Sequence, residues 1–124
     1  MLTQFWLYFL GAGIVMRLLT PPFHFKNKTV THSIRRKTKK EIHHFHFGIL
    51  FAVAALLLIV FRGINNPFLF LGALGLSLVA DEVFIIKKIQ MDYSEYFTKK
   101  SLLYSILGHL IIGVIITLAL VWVY

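Results

Sequence analysis

Residues 101–124 read SLLYSILGHLIIGVIITLALVWVY and contain no Asp, Glu, Lys or Arg. About 20 residues of helix are enough to cross the hydrocarbon core of a bilayer, which is about 30 Å thick. Three more apolar runs precede this one, at 2–16 with its flanks, 42–61 and 67–86. Because 58% of the 124 residues are hydrophobic, we expect an all-α integral membrane protein with four transmembrane helices.

The four runs occupy nearly the whole chain and leave no room for a water-soluble domain. The predicted helices cover approximately 2–20, 42–62, 67–88 and 100–123, within a single membrane domain, 1–124. No basic residue precedes the first run and no small-residue cleavage pattern follows it, so we expect a retained helix and not a signal peptide. The chain has no cysteine, which excludes disulfides and thiolate metal sites.

The basic residues are distributed asymmetrically along the chain. The chain has 13 Lys and Arg residues. Twelve of them lie in the segments that join helix 1 to helix 2 and helix 3 to helix 4, or at the helix ends next to these segments, and only Arg62 lies at the opposite end of the bundle. Basic loops face the cytoplasm in multi-pass proteins. The sequence therefore predicts both termini outside, in a plasma or cytoplasmic membrane.

The loop 21–41 carries most of this positive charge. Thr20-Pro21-Pro22 is expected to end helix 1, and the cationic cluster that follows comprises Arg35, Arg36, Lys37, Lys39 and Lys40. Each Lys or Arg near anionic headgroups contributes about 1 kcal/mol to membrane binding, so contact with membrane lipids is the first interpretation. A phosphate-bearing molecule or an acidic partner subunit is the alternative, and no nucleic acid is expected because no nucleic-acid motif accompanies the charge.

Helical spacing indicates which polar residues face the bundle. Small and polar residues recur every four positions in helix 4, and residues four apart share one face of a helix. Helices 2 and 3 show similar stripes of small residues, which permit close packing. The three stripes are Ser101, Ser105, His109, Gly113 and Thr117; Ala73, Ser77 and Asp81; and His44, Gly48, Ala52 and Ala55. His44, Asp81 and His109 are therefore expected to point inward.

Ionisable side chains in apolar helices are costly and mark functional sites by default. The candidates for a metal site are His43, His44, His46, Asp81, Glu82 and His109. By helical rise, His46, Asp81 and His109 can form a funnel in the cytoplasmic leaflet. Imidazole and carboxylate ligands suit one divalent Zn, Fe or Mn ion when thiolates are absent. Three histidines so spaced on a regular helix cannot all reach one ion. A metal-free His/carboxylate network and simple interfacial placement are the alternatives.

Two segments carry a resemblance. Residues 42–48, IHHFHFG, and residues 74–82, LGLSLVADE, are similar to a motif pair of small prokaryotic integral membrane proteins, His-His-x-His-x-Gly followed by Gly-Leu-x-Leu-x-x-Asp-Glu. The resemblance covers helices 2 and 3 and implies that the histidines and the acidic pair belong together. That family has no established activity to transfer.

Three functions fit these features. The first is a polar site that acts on a lipid or other amphiphile in the cytoplasmic leaflet, with Asp81 or Glu82 as the catalytic general base and a histidine as acid or metal ligand. The second is a non-catalytic accessory subunit that assembles with other membrane subunits or with itself. The third is a component of a proton or ion path, although Thr117 is the only polar residue beyond His109 on its stripe.

The charge asymmetry predicts that Thr29 and Asn65 lie on opposite sides of the membrane. Single-cysteine variants Thr29→Cys and Asn65→Cys are clean reporters because the chain has no cysteine of its own. We expect a membrane-impermeant maleimide to label Asn65→Cys in intact cells and Thr29→Cys only after permeabilisation. Labelling of both positions in intact cells would contradict the predicted topology.

Overall fold

The computed structural model describes residues 1–25, 43–85 and 98–123. These ranges fold into four helices, α1 (Leu2–Phe25), α2 (His44–Arg62), α3 (Asn66–Glu82) and α4 (Lys99–Val123), and contain no strand. The all-helical prediction is confirmed. The basic cluster at 35–40 lies outside the described residues, so its predicted contact with lipid headgroups stays a prediction.

Helix α1 is longer than its sequence predicts. It runs through Pro21 and Pro22 to Phe25, so the expectation that these prolines end the helix is wrong. A proline keeps a helical φ but removes its own N–H and crowds the carbonyl four residues earlier, and apolar helices tolerate this when nearby groups satisfy the freed carbonyls. The extension places Arg17 well inside the helix instead of at its end.

A short turn joins α2 to α3. The N–H of Gly63 donates to the Ile59 carbonyl at 2.9 Å, and Gly63 has a φ of 77°, a left-handed conformation that glycine adopts without steric cost. The Asn65 side chain then caps α3 by accepting a hydrogen bond from the Phe68 N–H at 3.1 Å, and Pro67 lies in the first turn. The α-helix ends at Glu82 and residues 83–85 form a turn, whereas the predicted helix continued to 88.

Helix α3 is the centre of the bundle, because it packs against each of the other three helices. It approaches α2 most closely where Gly48 faces Gly75: a Cβ atom on Gly75 would lie 2.5 Å from the Ala52 nitrogen. It approaches α4 where Gly108 packs against the Ala80 backbone. Small residues therefore permit backbone contact on two sides of α3.

The outside of the bundle is strongly apolar. Large Leu, Ile and Val side chains are exposed on α1, α2 and α4, and Trp122 is 89% exposed. Surfaces of this kind require an apolar environment. Three segments are long and apolar enough to cross a membrane, namely Leu2–Leu19, His44–Arg62 and Lys99–Trp122. Helix α3, with 17 residues, is shorter than these and more enclosed by its neighbours.

The contact between Gly48 and Gly75 predicts that Gly75→Ala destabilises the bundle. The new methyl group would meet the backbone of α2 at Ala52 and Gly48, and overpacking of this kind costs about 1–3 kcal/mol. Denaturation in detergent micelles measures the loss. Gly11→Ala is the matched control, because no heavy atom lies within 4 Å of its added Cβ and alanine favours helix by about 1 kcal/mol. Equal stability of both variants would contradict the prediction.

Candidate functional site

Asp81 connects three helices at one carboxylate oxygen. Its Oδ1 accepts a hydrogen bond from Arg17 Nε of α1 at 2.6 Å and another from Ser105 Oγ of α4 at 2.5 Å. The Asp81 residue is only 2% exposed, so this charge-assisted bond is shielded from water and strong. The inward orientation predicted for Asp81 is confirmed.

Arg17 also binds the start of α4. Its Nη1 donates to Ser101 Oγ at 3.2 Å, and its Nη2 lies 3.3 Å from both the Ser101 hydroxyl and its carbonyl oxygen. The guanidinium therefore bridges Asp81 and Ser101 with donors that diverge in one plane, as its rigid fork allows.

The sequence interpretation counted Arg17 only as a charge at a helix end and missed its role as the partner of Asp81. One signal was available: Arg17 lies four residues after Gly13, so both residues share one face of α1. A cation on the same face as a small residue points toward the bundle.

His109 is held between α3 and α4. Its Nδ1 lies 2.8 Å from the Ser105 carbonyl oxygen and its Nε2 lies 2.9 Å from Ser77 Oγ. A carbonyl oxygen only accepts, so Nδ1 carries a proton. In the neutral ring Nε2 then accepts from the Ser77 hydroxyl. The residue is 8% exposed and packs against Gly13, where a Cβ would collide with Nε2.

Glu82 belongs to a different group from Asp81. Successive residues of a helix are about 100° apart, and Glu82 accordingly faces α2 while Asp81 faces α1 and α4. Its Oε2 accepts a hydrogen bond from the Phe45 N–H at 3.0 Å, and its Oε1 lies 3.7 Å from His44 Nδ1. Glu82 is fully buried, and its carboxyl group accepts a backbone N–H of the first turn of α2 that has no partner within the helix.

The other two histidines surround the same helix start. His43 is the N-cap of α2, and its N–H donates to His46 Nδ1 at 3.2 Å. The two rings stack with centroids 6.2 Å apart, on a different face from His44, as their spacing predicts. His43 is buried, whereas His46 is exposed.

The six predicted site residues therefore divide into two groups. Asp81 and His109 are joined through Ser105, and Glu82 lies with His44 at the start of α2, beside His43 and the exposed His46. Among the residues that the structure describes, no group of three or more His, Asp and Glu side chains could hold a metal ion. The two groups are defined by their hydrogen bonds and ion pairs, and metal binding stays a prediction.

A groove lies between α1 and α4, since both helices pack mainly on α3 and only lightly on each other. Its volume is about 390 Å³. One end is near Trp6, whose Nε1 donates to Thr117 Oγ1 at 3.0 Å, and the other is near Arg17. The groove is lined by Trp6, Leu10, Gly13, Ile14, Arg17, Leu18, Leu102, Ser105, Ile106, His109 and Leu110. Of the six predicted site residues, His109 alone is in this lining.

No protein-family model, curated protein or solved structure matches the chain. The resemblance of segments 42–48 and 74–82 to a motif pair of small membrane proteins therefore stays a prediction. The structure does place the two segments side by side, because Gly48 contacts Gly75 and Phe45 binds Glu82.

The pair of Arg17 and Asp81 predicts that Asp81→Asn is strongly destabilising. The change removes the carboxylate and leaves the Arg17 guanidinium, whose side chain is 16% exposed, without its negative partner. Removing one member of a buried ion pair typically lowers the free energy of unfolding by about 3–5 kcal/mol. Denaturation in detergent micelles measures this cost.

The double variant Arg17→Met/Asp81→Leu is the informative comparison. It removes both charges and preserves apolar volume, so we expect it to be more stable than Asp81→Asn, since apolar replacement of a buried ion pair is often neutral or stabilising. A double variant that is less stable than the single one would show that the pair does not act as a unit.

Proposed function

We propose that this chain is an integral membrane protein that binds a lipid or other amphiphile in the groove between α1 and α4. The apolar chain of the bound molecule lies along the Leu and Ile side chains of the two helices, and its polar group lies at the Arg17 end of the groove. The four helices all cross the membrane, with both termini outside.

The membrane arrangement rests on length, composition and charge. Three segments meet the length and hydropathy needed to span a bilayer. Helix α3 is about 25 Å long at 1.5 Å per residue, and it is surrounded by the others, so it needs less lipid-facing surface than they do. The basic residues at the ends of α1 and α4 and in the segments between helices favour a cytoplasmic position for that end.

One observation carries the binding proposal, namely the lining of the groove. A volume of about 390 Å³ falls within the range of ligand sites, which are mostly apolar with a few convergent polar groups. Here Leu and Ile side chains dominate the lining, and Arg17, Ser105 and His109 border it mainly through their apolar atoms. In a bilayer such a groove opens sideways to the lipids, so an amphiphile can enter it without crossing water.

The acid–base roles predicted for Asp81 and Glu82 take a more specific form in this proposal. Asp81 does not line the groove, but its Oδ1 holds both Arg17 and Ser105, which do. Asp81 therefore positions groups that contact the bound molecule. His109 also borders the groove, but both of its ring nitrogens are occupied, by the Ser105 carbonyl and the Ser77 hydroxyl, so it shapes the groove and does not present a nitrogen to the bound molecule.

The two alternative functions receive less support. The polar stripes that suggested an accessory subunit form hydrogen bonds within this chain, such as Trp6 with Thr117 and Ser77 with His109, so they do not require a partner. A proton path would need relays beyond His109. Thr117 lies two turns farther along α4, about 12 Å away by helical rise, and its hydroxyl binds Trp6.

Filling the groove tests the proposal. Ile106 lines it and Leu107 does not, although the two side chains are similarly exposed, at 49% and 43%. The probe is phosphatidylglycerol with a diazirine on its acyl chain, cross-linked to the purified protein in vesicles. We expect Ile106→Trp to reduce cross-linking to α1 and α4 by about 10-fold or more, which corresponds to about 1.4 kcal/mol of lost affinity.

Leu107→Trp is the matched control and should cross-link like the natural protein. An excess of unlabelled phosphatidylglycerol should reduce cross-linking of the probe to the natural protein and to Leu107→Trp. Equal labelling of Ile106→Trp and Leu107→Trp, or labelling spread evenly over all outer helix faces, would refute a specific groove site.

A further inference from the structure

Two lysines lie at the Arg17 end of the groove. Lys99 and Lys100 begin α4, and Arg17 binds Ser101, the residue that follows them. Both lysines are exposed, and neither forms an ion pair with a carboxylate of the described residues. Within the described part of the chain, this end of the groove therefore carries positive charge that no acidic side chain matches.

The charge of Arg17, in contrast, is already matched inside the bundle. Its Nε donates to Asp81 Oδ1 at 2.6 Å, and both of its Nη atoms bind Ser101. A guanidinium held by a carboxylate and a serine is oriented and largely neutralised by the protein itself. A headgroup at this end of the groove thus meets Arg17 as half of an ion pair, so any net attraction for an anion comes from the lysines.

Helical phase distinguishes the two lysines. Lys99 lies three residues before Leu102 and seven before Ile106, both of which line the groove. Residues at these spacings share one face of a helix. Lys100 is on another face, because its Nζ lies 5.9 Å from the centroid of the Tyr104 ring, and Tyr104 is not part of the groove lining.

We propose that the groove binds a phospholipid of net negative charge and that Lys99 contacts its phosphate. Lys99 precedes the groove-lining Leu102 by less than one turn of α4, and a lysine extends its ammonium beyond an apolar stem toward the polar region of the membrane. A lysine ammonium binds phosphate as a point charge. The inference rests on the groove binding proposed above and adds the charge of the ligand and the residue that selects it.

Charge complementarity favours an anionic lipid over a zwitterionic one. The headgroup of phosphatidylcholine carries its own cation close to the phosphate, and that cation repels Lys99. Phosphatidylglycerol offers the phosphate charge alone. One Lys close to anionic headgroups strengthens binding about fivefold. In the arrangement proposed above this end of the bundle is cytoplasmic, the side on which anionic lipids give the membrane a negative surface potential.

The first test compares two lipid probes on the natural protein. Phosphatidylglycerol and phosphatidylcholine carry the same diazirine on the acyl chain, and each is added in trace amount to vesicles of equal parts of the two unlabelled lipids. We expect phosphatidylglycerol to label the groove-lining residues of α1 and α4 about fivefold more than phosphatidylcholine does. Equal labelling by the two probes would overturn the inference without any variant.

Variants of the two lysines then locate the selectivity. Lys99→Gln removes the charge from the groove face, and we expect it to bring the ratio of phosphatidylglycerol to phosphatidylcholine labelling close to one. Lys99→Arg keeps the charge and should keep the ratio. Lys100→Gln is the matched control, since it removes the same charge one residue away on a different face, and it should keep the natural ratio. An equal fall in Lys99→Gln and Lys100→Gln would indicate diffuse surface attraction and overturn the role of Lys99.

The pattern of labelling separates the two proposals. If neither probe labels the groove of the natural protein above the outer helix faces, groove binding itself fails. If both probes label the groove equally and Ile106→Trp reduces both, the groove binds lipid and only the selectivity for negative charge fails. Preferred labelling by phosphatidylglycerol that is lost in Lys99→Gln and kept in Lys100→Gln supports both.

Discussion

The ion pair between Arg17 and Asp81 determines how the bundle is joined. A single carboxylate oxygen of α3 accepts from the Arg17 guanidinium of α1 and from the Ser105 hydroxyl of α4, and Arg17 in turn reaches Ser101. Three helices therefore meet at one buried charge. In apolar surroundings such a charge requires a partner in a definite position, so the interaction restricts the relative rotation of α1, α3 and α4.

Close packing of small residues makes this arrangement sterically feasible. The contact of Gly48 with Gly75 brings α2 onto α3, and the contact of Gly108 with Ala80 brings α4 onto the opposite side. Gly13 of α1 lies against His109 and Ser77. Short interhelical distances let short side chains such as serine form hydrogen bonds between helices, which they could not reach across a contact of Leu and Phe.

The adjacent carboxylates of α3 serve two different environments because of helical geometry. Asp81 points to the side of α3 on which α1 and α4 pack, with the groove between these two helices. Glu82 points to the start of α2. The Asp81 side has its charge matched by arginine and lies next to a largely apolar groove. The Glu82 side combines a backbone N–H with a histidine. One dipeptide thus supplies an anchor between α1 and α4 and an acceptor for the start of α2.

Much of the fold follows from the sequence alone, because four apolar runs separated by basic or turn-forming segments have few ways to fold other than as helices. The four-residue spacing of Ser101, Ser105 and His109 also identified the inward face of α4, and the phase of α3 separated Asp81 from Glu82. These predictions succeed because a helix converts spacing into direction without reference to any other part of the chain.

Tertiary structure decided the partners. Spacing within helices shows that Asp81 faces inward but not that its partner is Arg17, because that pairing depends on the packing of α1 against α3. The same limit explains why the hydrogen bonds of Asp81 and of Glu82 reach different helices although the two residues are adjacent in the sequence. Distances between helices are set by packing, and packing depends on contacts from distant parts of the sequence that no local pattern encodes.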